Sequence, residues 1–175
     1  MTLSGCAFQT ARLAVADWRE GAQRTTGLAE TVASVMTERV TATLPEEWQI
    51  PGGYTVEDAR QWIAARDAEG PTLLVSDLAA GEVLGFLIPF AVDGDRGVDV
   101  RLGYVLAEHA WGRGIASELL AGFVSWCRAR PDIASLTGGV GKSNPASARV
   151  LQKSGFVAVE DEESGEDPGL YRLQL

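Results

Sequence analysis

The sequence predicts a mixed α/β fold in a single domain over residues 1–175, and three observations predict it. Val98, Val100, Leu102 and Tyr104 alternate with Asp99, Arg101 and Gly103, and Val105 and Leu106 close the run, as in a half-buried strand. That strand leads through Trp111-Gly112-Arg113-Gly114 into a stretch where Ile115, Leu119, Phe123, Trp126 and Cys127 recur at helical spacing. A further strand, Ala134 to Val140, precedes a short helix that Asn144 caps, Pro145 opens at its first position and Gly155 ends.

The other elements follow in order. Ala11 to Val15 reads as a first strand, and Asp17 begins a polar helical stretch. A helix from Leu28 to Thr43 carries Leu28, Val32, Val35, Met36 and Val40 on one face until Leu44-Pro45 breaks it. After the loop Pro51-Gly52-Gly53, Thr55 caps another helix, with Asp58 as the acid of a capping box, and Glu69-Gly70-Pro71 stops it after Ala68. Thr72 to Ser76 and Val83 to Phe90, turned at Gly81, form a hairpin. Asp93-Gly94-Asp95 then turns the chain into the strand that reaches the glycine-punctuated bend, and Tyr171 to Leu175 makes a final strand.

The bend is the most informative segment. Glycines at alternate positions, opening directly into a helix, leave backbone N–H groups unpaired, uncovered by side chains and aimed at one point, which suits a phosphate. A dinucleotide fingerprint would need another glycine where Ser117 stands and an acidic ribose partner on a following strand; the sequence has neither. Gly138-Gly139-Val140-Gly141-Lys142-Ser143 resembles the end of a nucleotide-binding P-loop, but its first glycine would fall at Leu136. Asn144-Pro145 also start the helix too late for Lys142 and Ser143 to lie in its first turn, so nucleotide hydrolysis is set aside.

Together the bend, its helix, the strand to Val140 and the short capped helix resemble the acyl-CoA-binding half of the GNAT superfamily of N-acetyltransferases, over Val98 to Val159. Within it, Trp111 to Ala116, the pair Asn144 and Ser147, and the close from Leu151 to Phe156 look most like the branch containing the ribosomal-protein alanine N-acetyltransferases. Phe8 to Leu13 and Leu44 to Trp48 are similar to segments of the same branch.

The resemblance implies the GNAT fold, a central splayed mixed sheet with helices on both faces, and acetyl-CoA as co-substrate with no metal. By position it puts the diphosphate on the amides of Gly112, Arg113, Gly114, Ile115 and Ala116, in a turn opened by Trp111, with the Arg113 side chain adding charge. It assigns Tyr104, Val105 and Leu106 to backbone contacts with pantetheine, inserted where their strand splays from its neighbour. Asn144 and Ser147 are expected beside pantetheine and sulfur, with Ser147 protonating the departing thiolate; capping alone would also explain Asn144.

Three departures bear on the chemistry. Trp111 stands where most of the superfamily has Gln or Arg, although the branch named above often has Trp. Leu151 occupies the place where many relatives carry a general-acid tyrosine. Arg101 stands where related strands often have Glu, which leaves Asp99, on the same strand face, or water as the base for the amine. Acetyl transfer by direct attack is expected, because neither cysteine lies in the bend or the short capped helix to carry an acyl group. The acceptor could be a protein N-terminus, a polyamine, an aminoglycoside or a small metabolite, with Trp48 expected to help choose it. The alternative, prompted by Leu151 and Arg101, is a CoA-binding regulatory or scaffold protein without turnover.

Composition narrows the partners. Lys and Arg total 15 against 24 Asp and Glu, so the chain is net acidic, with a pI near 4.6, and neither nucleic acid nor an anionic membrane is expected as partner. The acidic clusters Glu160 to Glu163 and Glu166-Asp167 read as a solvated hairpin loop or, alternatively, as a field attracting cationic amines. Cys6 and Cys127 form no metal or redox spacing, and the single histidine, His109, reads as a surface residue. A secretory leader and a membrane-length apolar run are both missing from the sequence, so a cytoplasmic protein is expected. Dimers are common in similar proteins, and the sequence leaves the oligomeric state open.

Overall fold

Most strands fall where apolar alternation predicts them, and they join into one sheet. The computed structural model describes residues 3, 5–19, 27–94, 96–141, 144–159 and 169–175. Its sheet has 8 strands in the order β1-β2-β3-β4-β5-β6-β8-β7. These are β1 (Phe8–Gln9), β2 (Leu13–Asp17), β3 (Leu73–Asp77), β4 (Val83–Gly94), β5 (Gly97–Leu106), β6 (Ile133–Val140), β7 (Val157–Val159) and β8 (Gly169–Gln174). Every neighbouring pair is antiparallel except β5 and β6. That parallel pair needs a crossover, and α4 (Ile115–Arg128) supplies it.

The other α-helices among the described residues are α1 (Leu28–Val35), α2 (Glu38–Thr41), α3 (Val56–Glu69) and α5 (Pro145–Lys153). Strand periodicity divides its interior in two. Val98, Val100 and Leu102 of β5 point into a cluster with Leu119, Phe123 and Cys127 of α4 and Leu151 of α5. Val105 and Phe86 point the other way, into a cluster with Val32 and Val35 of α1 and Ala59 and Trp62 of α3. Burying each such large apolar side chain contributes about 1.5–3 kcal/mol, so both layers hold the sheet between them.

Two local outcomes differ from the sequence reading. The helix expected from Leu28 to Thr43 is two helices, because the chain leaves helical geometry at Met36 and Thr37 re-caps it, accepting from the Val40 amide. The first strand is shifted two residues on and includes Asp17, whose position follows the register Asp17↔Leu73. A polar helix after Asp17 falls mainly on residues 20–26, outside the described residues, as do Asp95, Lys142, Ser143 and both acidic clusters. By contrast, the Thr55–Asp58 capping box forms as expected, with reciprocal side-chain bonds.

Cys6 and Cys127, distant in sequence, share the apolar cluster beneath α4 and are unpaired. Burial pushes both thiols up to about 12, so they keep their protons and stay unreactive at neutral pH. Among the described residues no helix is long and apolar enough to cross a membrane, and no group of three or more His, Cys, Asp or Glu could hold a metal ion. His109 is exposed, 3.3 Å from Glu82.

Candidate active site

The glycine bend adopts the conformation its sequence demands. Gly112 has φ 69° and Gly114 φ 76°, both in the left-handed region, and Gly114 is the N-cap of α4. No side chain caps this helix, so its first amides have no capping partner. The bend is held from outside by Arg12, whose guanidinium donates to the Arg113 carbonyl at 3.1 Å and to Glu118 of α4 at 2.6 Å. Glu118 also accepts from the Thr10 hydroxyl and the Arg12 amide. Burial pushes this carboxyl up, but those three bonds outweigh burial and hold it below the usual carboxylate range. Arg12 thus fixes the bend from the turn between β1 and β2, about a hundred residues away in sequence, and nothing in the local motif foretells it.

Trp111 turns back onto the end of β5, where its indole Nε1 donates to the Leu106 carbonyl at 2.8 Å. Of the three backbone positions assigned to pantetheine, Leu106 therefore already has one carbonyl partner. On the far side of β5, Gly85 of β4 lies so close that a Cβ there would run into the Val105 carbonyl.

Beyond Leu102 the sheet opens. Parallel pairing of β5 with β6 runs from Val98↔Ile133 to Leu102↔Gly138 and then stops. From there β5 continues to Leu106 paired with β4 alone, and β6 continues to Val140 paired with β8 alone. The splay expected before the bend is therefore present, with edge groups of both strands facing the gap.

Tyr104 and Ser147 meet on the α5 side of this gap. Their hydroxyls share a hydrogen bond of 2.7 Å. Asn144 caps α5 by accepting from the Ser147 amide at 3.1 Å, which fixes the turn carrying Ser147. Burial raises the Tyr104 phenol above its ordinary value while the Ser147 bond pulls the other way, so the phenol stays protonated through the neutral range. From the sequence Tyr104 has a backbone role only; its hydroxyl finds its partner on another element, out of reach of any local pattern. Leu151, in the place of the tyrosine found in many relatives, is buried against Gly138.

On the opposite face is an open cavity of about 370 Å³ whose lining includes Trp48, Arg66, Arg101, Gly103, Thr137, Gly139 and Arg172. Trp48 stands edge-on to Trp62 at 5.7 Å and under the Arg66 guanidinium at 4.8 Å. Asp99 faces this side of the sheet, but its carboxylate accepts from Ser135 at 2.5 Å and from Thr137 at 2.9 Å. The structure thus brings Trp48 to the cavity, Tyr104 and Ser147 together, and the amides of Gly112 to Ala116 to a helix end. Asp99 it places farther from the opening, three residues before the last paired position of β5.

Comparison with known proteins agrees with this architecture. A family model described as an acetyltransferase (GNAT) domain matches residues 24–157. No curated protein matches the chain in sequence. Among solved structures, a GNAT-family acetyltransferase from Bacillus anthracis is similar with TM-score 0.73 at 16% identity, covering 97% of this chain and 98% of that one. RimL, a ribosomal-protein alpha-N acetyltransferase in complex with coenzyme A, has the same TM-score, 0.73, 16% identity and coverage of 97% and 98%. A spermidine N-acetyltransferase from Vibrio cholerae, in complex with coenzyme A and spermine, gives 0.66 at 13% identity over 95% and 96% of the two chains. At these identities the likeness to solved structures is one of fold.

Proposed function

This chain belongs to the GNAT acetyltransferase family, and from that membership we propose that it moves an acetyl group from acetyl-CoA to a primary amine by direct attack. The observation that carries the reading is the parting of β5 from β6 beyond Leu102 and Gly138, with an uncapped helix N-terminus at one end and a hydroxyl pair beside it.

The residues present fit the co-substrate. The amides of Gly112 to Ala116 would hold its diphosphate, since a bare helix start offers both donors and the positive end of the helix dipole. Arg113 adds charge at the rim. The edges of Tyr104 and Val105 would pair with pantetheine in the gap, and their backbone donors would polarise the thioester carbonyl.

In the reaction, the amine nitrogen forms a bond to the carbonyl carbon as the carbon–sulfur bond breaks. The departing sulfur takes a proton from the Tyr104–Ser147 pair, and the amine gives up its proton to water. A protonated phenol at neutral pH is what this donor role requires. Asn144 orients Ser147 through the cap. Asp99 serves the cavity through Thr137, rather than acting as the base. Cys6 and Cys127, protonated and buried, are unsuited to carry an acyl group, which favours direct attack over a two-step route. A cytoplasmic setting fits two unpaired cysteines.

An assay of acetyl-CoA consumption over a broad amine library, with product mass detection, tests the reading. Release of free CoA with acetylated product, lost in Ser147→Ala and Tyr104→Phe together, is expected. Normal CoA binding with no amine acetylated would favour a regulatory or scaffold protein instead.

A further inference from the structure

We infer that the acceptor carries a carboxylate close to its amine, as an amino acid does, and that Arg101 and Arg172 hold it. The inference rests on the acetyl-transfer reading above and deepens it.

The register of the sheet makes the case. Phe90 pairs with Arg101, Arg101 with Thr137, and Thr137 with Arg172, so these four residues form one row across β4, β5, β6 and β8. With strands about 4.8 Å apart, the two arginines start roughly 10 Å from each other, on either side of Thr137. The next row toward the opening holds Ile88 and Gly103 on one side and Gly139 and Leu170 on the other. Its two central positions are glycines, and the sheet parts between them. A thioester reaching through the gap would therefore meet a floor without side chains, with the arginine row about 6–7 Å away along the strands.

Charge sorts the candidates. The cavity wall holds Arg66, Arg101 and Arg172 against Glu69. Arg66 is tied to Glu69 at 2.6 Å and to the Trp48 ring, so it is a wall rather than a receptor. Among the described residues neither Arg101 nor Arg172 pairs with a carboxylate. Arg172 instead donates from Nε to Thr137 at 3.2 Å, and Thr137 donates on to Asp99. That chain orients Arg172 through a hydroxyl and leaves the terminal nitrogens of its guanidinium to bind an oxyanion.

In a chain of formal net charge −9, two cations set in one row beside the opening are not explained by overall composition. They lie on the face opposite the uncapped helix end, so the diphosphate site does not use them. A polyamine would be repelled here. The volume, about 370 Å³, suits a molecule of amino-acid size.

The test compares the twenty amino acids with their carboxamides, and with spermidine, as acceptors at saturating acetyl-CoA. The expected result is at least a tenfold preference in kcat/KM for the best acid over its carboxamide, carried by KM. In Arg101→Gln and in Arg172→Gln that ratio should fall toward one while CoA affinity is retained as the sign of an intact fold. Equal use of acid and carboxamide, preference for spermidine, or an unchanged ratio in both variants would overturn the inference while leaving acetyl transfer in place. Should no amine be acetylated, the transfer reading falls by itself. Titration of the CoA-loaded protein with glutamate and with its diamide, followed by tryptophan fluorescence, then decides the cavity. Tighter binding of glutamate supports the arginine site, and equal or absent binding refutes it.

Discussion

On the α4 side of the sheet the groups assigned to the diphosphate are backbone amides, those of Gly112 to Ala116, contiguous in sequence. On the α3 side they are side chains, Arg101, Thr137 and Arg172, gathered from three strands by register. The first arrangement needs a conformation and the second needs a neighbourhood. A conformation is written locally, in glycines at positive φ before an uncapped helix, and it can recognise only what all acyl carriers share. A neighbourhood is written nowhere in particular, and it is free to vary with the acceptor.

Substitutions on one side should therefore leave the other side's ligand untouched. The largest effect is expected at the junction, where Tyr104→Phe combined with Ser147→Ala should lower kcat by about 100-fold, the usual worth of a positioned proton donor, with the CoA dissociation constant little changed. Equal losses in kcat and in CoA affinity would mean that the hydroxyls bind rather than donate.

Next come two glycine variants. Gly114→Val forces a branched residue into φ 76° and covers the amides, so CoA should bind at least tenfold more weakly in calorimetry while the fold persists at reduced stability. Gly103→Val meets nothing within 4 Å of its Cβ, so it should fold normally, retain CoA affinity and raise the acceptor KM by about tenfold. If Gly103→Val weakened CoA and spared the acceptor, the two sides would have been assigned in reverse.

Smaller effects concern stability. Thr55→Ala removes half of the capping box of α3 and should cost about 1 kcal/mol in urea unfolding without altering CoA binding. Glu118, with a carboxyl held below its usual range, adds stability that is present above the unfolded carboxylate pKa and lost as pH falls through its lowered folded value. Glu118→Gln should accordingly flatten the acid limb of the stability curve, below the ordinary carboxylate value. An unchanged limb would show that the Arg12–Glu118 contact holds the bend without contributing to folding.

The same contrast explains what the sequence could show. The strand, bend and helix from Val98 to Arg128, the Asn144 cap and the Thr55–Asp58 box were legible because each rests on residues within a few positions of one another. The break between α1 and α2 was not, since Thr37 caps a new helix inside an unbroken apolar stripe. Tyr104 could be placed on a strand facing the core, yet its hydroxyl acquires meaning only from Ser147, on a helix beyond α4 and β6. Arg101 could be noticed as a cation where an acid was expected, but its companion Arg172 becomes visible only when Thr137 pairs with both. Arg12 beside the bend is a third case of the same kind.

As proposed above, the opening between β5 and β6 joins a backbone site on one face to a side-chain site on the other. A crystal structure of the protein with coenzyme A bound tests it most directly. The diphosphate is expected on the amides of residues 112–116 and the sulfur in the opening, within hydrogen-bonding reach of the Tyr104–Ser147 pair. A diphosphate seated on Arg101 and Arg172, or a sulfur lying outside the gap, would contradict it.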